Sequence, residues 1–315
     1  MNRLLSLVFL LGFGFELQAQ QLSLFTQYRE NTTVINPAAL ESDFLGFGQN
    51  ISLGASYRMQ WVGLENGPRT QVIRGTYFNP DMRGVALMAG GHIINDQTGP
   101  TGFMGMYGRI AGVVSNDPEY SGFVAGLSFG MAQFRLKSSD ITLRDQDDVL
   151  GSNNQTKLYP DVGLGIYYYT TLNRSGDYVY GGLSIPQVFG LDLTFQDENG
   201  EYATRRVQHF YGLFGMYKFF DNDSFIEPSV WVKRVAGAPL SVDVNLRYQL
   251  PVPMWVGAGA SSGKAIHLET GVLLSDYTGF SNTLRVGYGF DYSFNTFGPT
   301  AGTTHEINLT FSLDR

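Results

Sequence analysis

From Leu240 to Leu250 apolar and polar side chains alternate without a break. Leu240, Val242, Val244, Leu246, Tyr248 and Leu250 fall on one face, and Ser241, Asp243, Asn245, Arg247 and Gln249 on the other. Thr283 to Phe294 repeats the pattern, setting Leu284, Val286, Tyr288, Phe290, Tyr292 and Phe294 against Thr283, Arg285, Gly287, Gly289, Asp291 and Ser293. Ile51 to Trp61 does the same, and near the end Ile307, Leu309, Phe311 and Leu313 oppose Glu306, Asn308, Thr310 and Ser312. A period of two residues is the signature of a strand. These runs are nearer the roughly 9–11 residues that cross a bilayer at a tilt than the roughly 5–6 of a soluble sandwich strand.

The pattern predicts strands near 49–60, 69–78, 84–94, 102–114, 120–136, 162–169, 177–188, 209–219, 224–235, 239–249, 254–261, 265–275, 281–294 and 304–314. The predicted fold is all-β, a transmembrane antiparallel β-barrel of about 14 strands, an even number as in single-chain bacterial barrels. Tyr and Trp near several strand ends fit an aromatic girdle. Connections support one orientation. With the mature N-terminus in the periplasm, the short segments 79–83, 115–119, 170–176, 220–223, 250–253 and 276–280 become periplasmic turns, rich in turn formers. The two long connections, 137–161 and 189–208, then fall outside, as do two short ones near Ala236 and Ser262.

Composition agrees with the barrel. Charged residues make up 16% and aromatics 14%, with 39 Gly, 18 Tyr and 23 Phe. After the first 20 residues no apolar run reaches the roughly 18 residues of a membrane helix. Those first residues read as an export signal. Met1-Asn2-Arg3 is a short positive start, Leu4 to Phe15 is almost wholly apolar, and Ala19 precedes a plausible cleavage point before Gln20. The expected organisation is a cleaved signal peptide at 1–19 and a single outer-membrane barrel domain at 20–315. Within it, 20–48 is an N-terminal segment able to fold inside the lumen. The chain has no Cys, which excludes a lipoprotein anchor and disulfides. Removing the signal leaves the net charge at −7, with no basic stripe for nucleic acid.

Several segments carry a family resemblance. Phe25-Thr26-Gln27-Tyr28 is followed by Asn31 and Asn36-Pro37-Ala38, then by Tyr57-Arg58-Met59-Gln60-Trp61-Val62-Gly63 with Gly67-Pro68. Later come Tyr159-Pro160-Asp161-Val162-Gly163, Gly181-Gly182-Leu183-Ser184, His209, Glu227-Pro228-Ser229, Trp255 with Gly257, Gly287-Tyr288 with Asp291-Tyr292, and His305-Glu306-Ile307. In this order they resemble the PorP/SprF family of type IX secretion system outer-membrane proteins of Bacteroidota. Tyr-Arg-x-Gln-Trp is the most specific piece. The turn after Asn-Pro-Ala departs from the pattern, reading Ala39-Leu40-Glu41 where a Gly is expected. The resemblance implies an accessory of type IX export, assisting secretion or surface attachment of large proteins such as gliding adhesins. Its implied partners are outer-membrane lipid, the C-terminal sorting domain of the cargo and periplasmic ring components. The alternative is an uptake channel of FadL type, which carries a similar Asn-Pro-Ala segment.

Alternation sends Ser52, Ser56, Arg58 and Gln60 into the lumen, and Tyr57, Met59 and Trp61 towards lipid or the girdle. Closure makes the first and last strands neighbours, so Arg58 and Glu306 are predicted to meet at the seam. There they either fix closure as a structural ion pair or grip a cargo tail or plug. Glu227, Lys233, Asp243, Arg247, His267, Glu269, Arg285 and Asp291 also point inward, a mixture of signs that suits a cross-linked interior better than a selective pore. Gln27, Tyr28, Asn36, Pro37, Arg58, Gln60, Trp61, Pro68, His305 and Glu306 are the candidate lumen or partner contacts, with Trp61 and Pro68 in the first external loop. Catalysis, cofactors and metals find no support in the residues. His92, His209, His267 and His305 lack ligand spacing, and the neighbours His305 and Glu306 point to opposite faces of a strand. The run Asp145, Asp147, Asp148 lacks the Gly and Glu of a calcium loop.

Overall fold

A computed structural model describes residues 25–81, 84–137, 155–172, 176–189, 192–197, 200–205, 207–275, 282–294 and 298–313. The export signal at 1–19 and the acidic run at Asp145, Asp147 and Asp148 lie outside the described residues. Fourteen antiparallel strands close into one barrel. They are β1 (Ile51–Met59), β2 (Arg69–Asn79), β3 (Gly84–Thr98), β4 (Thr101–Ser115), β5 (Ser121–Leu136), β6 (Gln155–Thr171) and β7 (Tyr178–Ile185). After a separate hairpin, β8 (Asp192–Asp197) with β9 (Gly200–Arg205), the wall resumes. It continues with β10 (His209–Phe219), β11 (Phe225–Val235), β12 (Ser241–Gln249), β13 (Met254–Ser261), β14 (Ala265–Leu274), β15 (Thr283–Ser293) and β16 (Thr304–Leu313). Each barrel strand pairs with its neighbours in sequence, β7 with β10 across the hairpin, and β16 closes on β1 through Ile51↔Leu313 to Met59↔His305.

Two stretches differ from the sequence expectation. β6 begins at Gln155, within the expected loop 137–161. Pro160 interrupts the apolar pattern there, yet Tyr159 and Asp161 are buried while Leu158 and Pro160 are exposed, so the alternation is real. The expected loop 189–208 contains the β8–β9 hairpin, which pairs only with itself.

Alternation fixes the two faces of the wall. Leu53, Ile73, Met106, Phe214, Leu246, Leu268 and Leu309 are exposed outward, forming the apolar band that lipid requires. Outward charges such as Arg69, Lys218 and Arg234 stand at or next to strand ends. The aromatic girdle is only partly as expected. Tyr77, Tyr168 and Tyr288 face outward, but Tyr107, Tyr167, Tyr169, Tyr180, Tyr211, Tyr217, Trp231 and Trp255 are buried on the inner face. They have an apolar partner inside, which a water-filled lumen would not supply.

That partner is residues 25–50. Within this segment lie a 3₁₀ turn at Tyr28–Asn31 and short helices at Thr32–Ile35 and Ser42–Phe47. Phe25, Tyr28, Ile35, Leu40, Phe44 and Leu45 are buried in a single cluster with the inward aromatics of the wall except Trp255, which lies beneath Arg247. Phe44 meets Phe78 edge-on at 4.8 Å, and Tyr217 lies 5.3 Å from Phe225, against which Phe47 packs at 6.0 Å. Burying a side chain of this size contributes about 1.5–3 kcal/mol, so the interior is a packed core.

Candidate functional site

The site is the lumen where the N-terminal segment meets the wall. At its start, Thr26 and Gln27 sit beside Arg58, one residue from the end of β1. The backbone N–H groups of Thr26 and Gln27 donate to the Glu306 carboxylate at 2.7 and 3.2 Å. Arg58 pairs with Glu306 at 3.3 Å and with Asp291 at 2.7 Å, and also donates to the Thr26 hydroxyl. Arg58 and Glu306 are register partners across the closing seam. The pair thus stands at the seam and contacts a chain segment in the lumen. The segment is the protein's own.

Around this grip the wall is internally neutralised. Lys233 reaches Asp243 at 2.7 Å and donates to the Tyr28 hydroxyl, while the Tyr28 ring stacks on Trp231 at 5.2 Å. His267 lies 2.9 Å from Asp291. Arg29 of the segment pairs with Glu227 and, at 3.0 Å, with Glu269.

Deeper in the lumen the pairing is inverted, with acids on the segment and arginines on the wall. Glu30 accepts from Arg285 at 2.6 and 3.1 Å and from Arg247 at 3.4 Å, with Arg74 at 3.8 Å. Asp43 pairs with Arg285 at 2.7 Å and accepts from Ser312. Glu41 accepts from Thr33 and Thr76, each at 3.0 Å, and lies 3.8 Å from Arg74. Burial pushes the Glu30 carboxyl up, yet Arg285, Arg247, Arg29 and Arg74 together hold it below its ordinary range. For Asp43 burial outweighs Arg285 and the carboxyl is pushed up.

The Asn36-Pro37-Ala38 turn docks on glycine. Asn36 Nδ2 donates to the carbonyls of Ile166 at 3.1 Å and Leu183 at 3.5 Å, while its Oδ1 accepts from the Ala38 N–H at 2.9 Å. Arg109 donates to the carbonyls of Pro37 and Ala39 at 3.1 and 2.9 Å. A Cβ at Gly165 would stand 2.0 Å from Asn36 Oδ1, and one at Gly126 would stand 2.5 Å from the Pro37 carbonyl. The turn fits only because these wall positions carry no side chain.

The candidate residues thus separate into two groups. Gln27, Tyr28, Asn36, Pro37, Arg58 and Glu306 converge inside the barrel. Gln60, Trp61, Pro68 and His305 lie at the rim beyond or beside the end of β1. β1 stops at Met59, so Gln60 belongs to a turn rather than to the lumen wall, and its N–H donates to Pro68 O at 2.8 Å. Trp61 has a φ of 52° and its N–H donates to Thr304 Oγ1 at 3.4 Å. His305 faces outward, its Nδ1 2.5 Å from the Tyr288 hydroxyl. Sequence reasoning missed Arg29, Glu30, Glu41, Asp43, Arg74 and Arg109. The usable signals were the inward phase of Arg74 between Val72 and Thr76, and a cluster of carboxylates in a segment too short of charge to be a free tail.

This fold and this interior define an outer-membrane β-barrel whose lumen is filled by its own N-terminal segment. The family described as type IX secretion system membrane protein PorP/SprF matches residues 17–311, and the chain belongs to it. No curated protein matches the chain. Among solved structures, a deltaS2S3 mutant of the TodX monoaromatic hydrocarbon channel is similar with a TM-score of 0.53 at 8% identity, covering 90% of this chain and 94% of that one. A deltaS2 mutant of the same channel gives 0.48 at 9% identity over 90% and 94%. CdiB from Acinetobacter baumannii gives 0.43 at 10% identity over 84% of this chain and 60% of its own. The first of these likenesses shows a shared barrel fold.

Proposed function

We propose that the chain is a non-catalytic accessory of type IX secretion that helps deliver large surface proteins, gliding adhesins among them, or holds them at the cell surface. The observation that carries this reading is membership of the type IX family along residues 17–311. In this reading β1 starts from the periplasmic end of the barrel. The partners are the C-terminal sorting domain of a cargo protein and the periplasmic ring components. Trp61 and Pro68 belong to the external rim, where a cargo held at the surface would pass. The packed, ion-paired interior supports this reading over an uptake channel, which needs a continuous apolar path. A small cavity of about 40 Å³ lies between Phe25, Ile35 and the wall residues His92, Phe103, Tyr107 and Tyr211.

An affinity pull-down of the tagged barrel from native outer membrane, read by mass spectrometry, tests the proposal. Recovery of a large protein with a C-terminal sorting domain, or of ring components, is the expected result. A barrel that comes out alone and carries small apolar solutes into vesicles is an uptake channel instead.

A further inference from the structure

The inner wall carries an unequal distribution of charge once the N-terminal segment is considered apart from it. Towards the Met59 end, Arg58, Lys233 and His267 are matched by Asp243, Asp291 and Glu306, all on the wall itself. Nearer the middle and the Ile51 end, Arg74, Arg247 and Arg285 project from β2, β12 and β15, three separated parts of the wall, onto one carboxylate. That carboxylate is Glu30 of the segment. Their remaining carboxylate partners, Glu41 and Asp43, also belong to the segment. Arg109 completes the group through the Pro37 and Ala39 carbonyls. All four guanidinium groups are almost wholly buried. Among the described residues Arg74 Nε and Nη1, Arg247 Nε and Nη2, Arg109 Nε and Arg285 Nε have no hydrogen-bond acceptor. The arginines therefore offer more donors than the segment satisfies.

We propose that Arg74, Arg247 and Arg285 form a carboxylate-binding site on the barrel wall, now filled by the chain's own Glu30, and that withdrawal of the segment turns the lumen into an anion-selective pore. Arginine suits this task because its planar fork of donors matches a carboxylate and keeps its charge when buried. Rings of Arg or Lys favour anions in pores by the same electrostatics. Withdrawal also uncovers Glu227 and Glu269, the partners of Arg29, and Asp161 lies on the inner face as well, but four arginines outnumber these three carboxylates. Arg247 also stacks over Trp255, 4.6 Å from the ring centroid, a contact within the wall that does not involve Glu30. The ligand class is a carboxylate, and the segment itself is the resident example.

The exposed Gly48, at the exit of the segment and with a φ of 72°, accepts an inserted protease site. The full chain carrying that site together with Glu30→Gln, Glu41→Gln and Asp43→Asn is folded, cleaved and reconstituted in a planar bilayer under a KCl gradient. The expected result is a conductance at least tenfold above the uncleaved wild type, with a reversal potential of the sign for chloride and block by citrate. Adding Arg74→Gln, Arg247→Gln and Arg285→Gln is expected to remove both the selectivity and the block. Where the triple carboxylate variant fails to assemble, cleaved Glu30→Gln alone gives the same reading. A cation-selective or unselective current, or no current from the cleaved protein, overturns the proposal.

Discussion

Arg58 has two carboxylates, Asp291 and Glu306, and two segment groups around it, all buried. Removing one member of such a set leaves a charge without its partner in a poorly solvated place, at a cost of about 3–5 kcal/mol. Arg58→Gln is therefore expected to lower the temperature at which the barrel loses its compact band on a detergent gel. Adding Glu306→Gln should recover part of the loss, because both charges are then gone, and a purely additive double variant would contradict this pairing. Gly165 makes the complementary case, in which absence of a side chain is what counts. Gly165→Ala puts a Cβ 2.0 Å from Asn36 Oδ1, and overpacking of this kind costs about 1–3 kcal/mol. The expected outcome is a barrel of nearly unchanged wall whose residues 25–48 become more sensitive to protease. Equal protection in variant and wild type would show that the turn does not rest on that floor.

At the level of elements, the wall and the hairpin have different standing. β7 and β10 pair directly, from Tyr211↔Ser184 to Tyr217↔Tyr178, and so continue the barrel without β8 and β9. Replacing 192–205 by a short Gly-Ser linker is expected to leave the thermal transition within a few degrees of the wild type. A large drop would mean that the hairpin braces the rim. The N-terminal segment is the reverse case. Its helices are only four and six residues long, far below the roughly 12–15 at which an isolated helix is even marginal. Its order comes from the wall, through the aromatic cluster and the ion pairs. Its shape was accordingly illegible in the sequence, while the strands around it were not. Leu240–Leu250 and Thr283–Phe294 announce their faces by alternation alone, since a strand buried on one side and lipid-covered on the other must alternate. β6 was read too short because Pro160 sits on its outer face at a position where an apolar residue would have marked it.

For the whole molecule, orientation is the property that the proposed function most depends on. The absence of Cys makes it directly measurable. Leu64→Cys, in the turn after β1, is expected to react with a membrane-impermeant thiol reagent in intact cells. Asp221→Cys, in the turn between β10 and β11, is expected to react only after the outer membrane is opened. The opposite pattern would place the start of β1 outside and overturn the proposed topology. By itself the sequence determined the wall: the number of strands, their faces, the closing pair of β1 with β16, and the meeting of Arg58 with Glu306. These follow from a period-two pattern and from closure, both of which are local or topological. Only the tertiary structure decided what fills the lumen, because Glu30 meets Arg247 and Arg285 across 217 and 255 residues, and Arg74 from another strand, and no periodicity links them. The inward Tyr and Trp residues belong to the same class, since a girdle and a luminal core ask for the same residue types. The choice between them is made by what packs inside.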